Sequence, residues 1–122
     1  MHNKEINKVV FVSNTQNNFD ITSYITNVDK SKFIDSMNNG KLRPSKNIKI
    51  SNYNVDVIYV SFHGEKSFNI YNISPNNFIV EFPTKKGTLD SEIVNYTKIN
   101  SNLLQYYFNK FKNLCKNVIP YK

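Results

Sequence analysis

With 122 residues, 39% of them hydrophobic and 14% aromatic, the chain can fill one packed core, and it carries too many large apolar side chains for a disordered segment. Its net charge of +7, spread from Lys4 to Lys122 without a block, favours acidic partners, but Arg43 is the only arginine among 16 basic residues, which weighs against a surface built for bidentate phosphate or guanine contacts. A single cysteine excludes an intramolecular disulfide, and no stretch approaches the ~18 apolar residues of a spanning helix.

The first β-branched run is 9–12, closed by the turn-rich 13–18 (SNTQNN). Phe19, Ile21, Ser23 and Ile25 then alternate with polar residues, so the two runs read as a β-hairpin. A helix is expected over about 30–38. Asp29 stands where it can cap the first turn, Val28 and Phe33 hold the positions of a hydrophobic staple, and Phe33, Ile34 and Met37 share a face. Asn39-Gly40 supplies a left-handed stop.

Residues 41–47 (KLRPSKN), with Pro44, read as an exposed connector. Ile48, Ile50 and Tyr53 begin a series of strands. The strongest is 55–62, where Val57, Ile58, Tyr59 and Val60 are apolar on both faces, as in a central strand covered on both sides. Turns at 63–66 and 74–77 separate it from strands at 67–73 and 78–82, describing an antiparallel meander of four. Residues 83–88 read as a second exposed loop bearing Lys85, Lys86 and Gly87. In 89–99, Ile93, Asn95, Thr97 and Ile99 alternate as in a short edge strand, the reading favoured here, although Leu89, Ile93 and Tyr96 also suit a helix. The last element is a helix capped by Asn100 or Ser101. Leu104, Phe108, Phe111, Cys115 and Val118 form its apolar stripe, flanked by Leu103, Tyr107 and Leu114, and Pro120 ends it.

The expected fold is therefore α+β: one antiparallel β-sheet of about five to seven strands, in the order β-β-α-β-β-β-β and then a C-terminal α, with the helices packed on the sheet. Residues 1–122 form a single domain, with no linker or internal repeat.

No catalytic pattern emerges. His63, beside Gly64 and Glu65, has Glu65, Glu81 and Asp56 as potential partners, but a turn histidine facing water is the commoner arrangement and further metal ligands are lacking. Cys115 lies on the apolar stripe of a helix, where a thiol behaves as a small inert hydrophobe rather than as a nucleophile paired with His63. Glu81 interrupts an apolar strand and is expected on the solvent face, opposite a lysine. The three glycines are too far apart for a phosphate loop, and the glycosylation patterns at Asn72 and Asn95 are chance matches in a chain that is about one-sixth Asn. Tyr59 and Tyr71 fall on one sheet face, with Phe62 or Tyr53 near them. They are read as core under a helix, the alternative being bases stacked on them.

The favoured function is a small non-enzymatic binding module, an accessory, inhibitor or immunity-type factor that binds another protein. Its contacts come from a sheet edge or from the two loops, with Lys41, Arg43, Lys46, Lys85 and Lys86 as contact residues. No cofactor or metal is expected. One alternative is a basic nucleic-acid-binding protein using Tyr59, Tyr71 and lysines, its binding weak or non-specific; another is an enzyme with a site near His63. The Asn-, Lys- and Ile-rich composition matches AT-rich codons, as in a low-GC bacterium, a phage or another mobile element. The chain shows no leader-like start, so a cytoplasmic location is expected, with an extracellular one as the alternative if a leader has been removed.

Overall fold

A computed structural model describes residues 6–38, 41–45, 54–63, 67–85 and 92–121, with the backbone alone for 41–45, 82–85 and 92–95. The strands are β1 (Ile6–Val12), β2 (Asn18–Asp20), β3 (Lys41–Ser45), β4 (Val57–Phe62), β5 (Ser67–Ser74), β6 (Asn77–Lys85) and β7 (Glu92–Asn100). The helices are α1 (Asn27–Asn38) and α2 (Asn102–Leu114). Among the described residues, seven strands join one antiparallel sheet in the order β2-β1-β4-β5-β6-β7-β3, which is the α+β architecture expected.

Alternation places one side of every central strand in a common core. Ile58, Val60 and Phe62 of β4 pair with Phe11, Val9 and Ile6 of β1, and all six are buried. Ile6 and Val9 are three residues apart yet share a face, because the register shifts between Ile6 and Lys8. Phe68 and Ile70 of β5, Phe78 and Val80 of β6 and Ile99 of β7 extend this layer, and both helices lie on it. From α1 come Phe33, Ile34 and Met37; from α2 come Leu104, Tyr107, Phe108 and Phe111. The Phe33 and Phe111 rings, 5.0 Å apart, join the helices.

Phe108 also reports the shape of the sheet. It stands 5.5 Å from Phe11 on β1 and 5.5 Å from Phe78 on β6. Flat, strands three places apart would be separated by about 14 Å, so one ring can touch both only if the sheet curls around α2. The helices fill the concave side of this half-barrel.

Several expectations need correction. Residues 41–45 are not a connector: they form edge strand β3, paired with β7 from Lys41↔Asn100 to Ser45↔Tyr96. Consequently β7, expected at an edge, is interior between β6 and β3. Residues 83–85 belong to β6 and pair with Val94, Ile93 and Glu92, so they are not part of the loop expected over 83–88, of which 86–88 lie outside the described residues. The second arm of the first hairpin is only three residues long; Thr22–Tyr24 then form a 3-10 turn that buries Ile21 and Ile25 at its flanks. Helix α1 starts three residues earlier than expected. Thr26, not Asp29, caps it, accepting from the Asp29 amide at 3.1 Å, and Val28 is 61% exposed and makes no staple. β4 is interior as expected, but the described helices cover only one of its faces. The expectations for Asn39-Gly40, for Ile48, Ile50 and Tyr53, and for 64–66 lie outside the described residues.

Candidate binding surface

On the helix-free face, the register aligns two rows of side chains across the sheet. One runs Asp20, Val10, Tyr59, Asn69, Glu81, Tyr96; the next runs Asn18, Val12, Val57, Tyr71, Ile79, Lys98. Val10 and Ile79 are buried within this face, Lys98 is exposed, and the other members are half-buried. Tyr59 and Tyr71, read from the sequence as core under a helix, therefore lie on the side opposite both helices. Phe62, expected near them, faces the core and packs 5.2 Å from Phe68.

Glu81 is the chemical centre of the face. The expected lysine does not oppose it: its cross-strand neighbours are Asn69 on β5 and Tyr96 on β7. The Asn69 amide donates to its Oε1 at 2.9 Å, and the Tyr71 hydroxyl donates to the same oxygen at 3.2 Å. Burial, then the charge of Glu81 and the hydrogen bond to it, hold the Tyr71 phenol well above its ordinary range. Tyr96 is raised by the same causes in the same order. Both phenols thus stay protonated donors across the physiological range.

At the two sheet edges the situations differ. The C-terminal tail covers β2, with the Tyr121 amide donating to the Asn18 carbonyl at 2.8 Å. Beyond β3 no described strand pairs, and Pro44 sits mid-strand, where its missing N–H suits an edge. Of the expected contact residues, Lys41 and Arg43 fall on β3, with Arg43 at the register position of Lys98, while Lys85 ends β6 opposite Glu92. Lys46 and Lys86 lie outside the described residues.

The residues weighed for catalysis do not converge. His63 is exposed just past the end of β4. Cys115 lies by Asp56 at the start of that strand, so the imidazole and thiol are separated by about the length of a six-residue strand, roughly 20 Å. Cys115 is half-buried rather than fully buried; its thiol contacts the Phe111 carbonyl at 3.7 Å, and burial pushes it up to about 11. Asp56 is a structural hub: one carboxylate oxygen accepts from the Asn14 amide at 2.8 Å and the other pairs with Lys112 at 2.8 Å. Among the described residues no group of three or more His, Cys, Asp or Glu side chains is placed to hold a metal, and no helix is long and apolar enough to cross a membrane.

Nothing in the sequence flagged the pairing of Asn72 with Gln105. Each amide donates to the other's oxygen at 3.0 Å, and Gln105 Oε1 also accepts from the Asn76 amide at 2.8 Å. This locks the first turn of α2 onto the β5–β6 turn, where Asn76 has φ 68° after Pro75. The Asn72 side chain is thus engaged, which fits a chance glycosylation match.

Comparison of the chain with protein-family models, with curated proteins and with solved structures finds no match.

Proposed function

We propose that the chain is a non-enzymatic binding module for another protein and that the helix-free face of its sheet is the contact surface. The observation that carries this reading is the Tyr59, Tyr71, Glu81 and Tyr96 group, set among Val12, Val57 and Ile79 on the face of the sheet opposite both helices. Tyrosine suits such a role because a large, stiff ring offers contact area at little entropic cost, with a hydroxyl to fix register. Lys98, Arg43 and Lys41 would supply a basic rim along the β3 side, and an inhibitor or immunity-type role fits a small domain that acts by occlusion.

A second reading has one specific observation in its favour: Tyr59 and Tyr71 lie off the core, where bases could stack on them. Glu81 argues against it, because a carboxylate at the centre of the face repels a phosphate backbone. The two readings separate in one experiment. The tagged chain and its Tyr59→Ala and Lys98→Glu variants are used for capture from the source cells at physiological salt, beside fluorescence titrations with single- and double-stranded oligonucleotides. A protein retained by the wild type and lost from the folded variants is the expected result. Sub-micromolar oligonucleotide binding with a strand preference, and no retained protein, would overturn it.

A further inference from the structure

Glu81 has an unusual setting for a carboxylate on a chain of net charge +7. It stands in the middle of a sheet face, half-buried, yet the ion pairs found among the described residues are Asp29–Lys110 and Asp56–Lys112, neither of which involves it. Lys98 is two residues from Tyr96 on the same face and is exposed, but it does not bring its ammonium within salt-bridge distance. Instead the carboxylate is flanked by tyrosines on both neighbouring strands, Tyr71 on β5 and Tyr96 on β7.

From this arrangement we infer that the Glu81 cluster is a receptor for a cationic side chain, lysine or arginine, presented by the protein partner. The inference rests on the protein-binding reading above and names the chemistry at its centre. Three features carry it. A carboxylate offers about four acceptor positions, and the Asn69 and Tyr71 bonds, both on Oε1, together with the bond from the Tyr96 phenol still leave room for an incoming donor. A phenol that donates its proton to a carboxylate gains electron density in its ring, and ring faces attract organic cations within about 6 Å. The hydrogen bonds from Asn69 and Tyr71 also hold the carboxylate in place before the partner arrives, which lowers the ordering cost of binding. An arginine would fit best, since its plane can lie along a tyrosine ring while its fork meets the carboxylate.

The test does not need the partner. N-acetyl-arginine amide and N-acetyl-lysine amide are titrated into the isotopically labelled protein, with the neutral citrulline analogue and N-acetyl-glutamate amide as controls, and the ring resonances of Tyr71 and Tyr96 are followed by NMR. Saturable shifts are expected from the two cations only. In Glu81→Gln, which keeps a carbonyl acceptor for Asn69 and Tyr71, binding should weaken by about tenfold or more, the ratio expected when one charge-assisted contact is lost. Tyr96→Leu keeps the carboxylate and removes one ring, so the folded variant should also bind both cations more weakly. Equal shifts with the citrulline analogue, or cation binding unchanged in folded Glu81→Gln, would overturn the inference. Capture of the partner separates the two levels. If Tyr59→Ala releases a protein that Glu81→Gln still holds, this inference fails while the protein-binding reading stands.

Discussion

At Cys115 the environment decides the chemistry of a nucleophile. The thiol is half-buried at the C-terminal end of α2, where burial first and then the nearby Asp56 carboxylate disfavour the thiolate and raise it to about 11. Because the folded value lies above the ordinary one, this group favours the native state below about pH 9 and loses that contribution as pH climbs toward 11. At pH 7.5, labelling of the native protein by a disulfide reagent should be slow and should accelerate on unfolding. Cys115→Ala should flatten the alkaline limb of the stability profile. Rapid labelling of the folded chain would contradict this. The apolar stripe made the packing of Cys115 against the core legible in the sequence, though not its partial exposure. Tyr59 and Tyr71 were harder to place: a β4 segment apolar at four successive positions looks covered on both sides, and alternation alone cannot say which face receives the helices.

Among the elements, α2 gave the plainest sequence signal and organises the most structure. Ser101 caps it, its hydroxyl accepting from the Leu104 amide at 3.0 Å, and Leu104, Tyr107, Phe108 and Phe111 bury one continuous face against the curled sheet. A chain ending at residue 100 loses those four side chains at ~1.5–3 kcal/mol each, as much as the ~5–15 kcal/mol that usually separates folded from unfolded states. It should show no cooperative thermal transition by circular dichroism, whereas Ser101→Ala should melt cooperatively, about 1 kcal/mol less stable. A cooperative transition in the truncated chain would show that the sheet closes its core without α2. The elements misread from sequence were the weakly patterned ones. Lys41–Ser45 holds one proline and one large apolar residue, a composition that an edge strand tolerates because only one side must pair, and that a loop shares. Once those residues are a strand, β7 necessarily moves inward, so a single ambiguity shifted two positions in the sheet order.

For the molecule as a whole, α1 carries the chain from β2 at one edge to β3 at the other, so both edges are tethered across the concave side and both helices are committed to the core. The convex face is the side of the sheet opposite both helices and the one proposed above for a partner, on a chain of net charge +7. That charge attracts any polyanion, so oligonucleotide binding at low salt is expected and carries no information about function. Binding of that kind releases condensed counterions and falls by orders of magnitude between about 50 and 200 mM salt when several phosphates are contacted. A protein seated on the tyrosine face behaves differently: its desolvated centre is screened far less than exposed lysines, and only the contribution of the rim declines. Dissociation constants measured across this range should therefore give a steep logarithmic slope for oligonucleotides and a shallow one for the protein partner. Lys98→Ala should reduce the first slope, whereas Tyr59→Ala should weaken the second interaction nearly equally at every salt concentration. A steep slope for the protein partner, unaffected by Tyr59→Ala, would place the contact on the scattered lysines instead of on the face of the sheet.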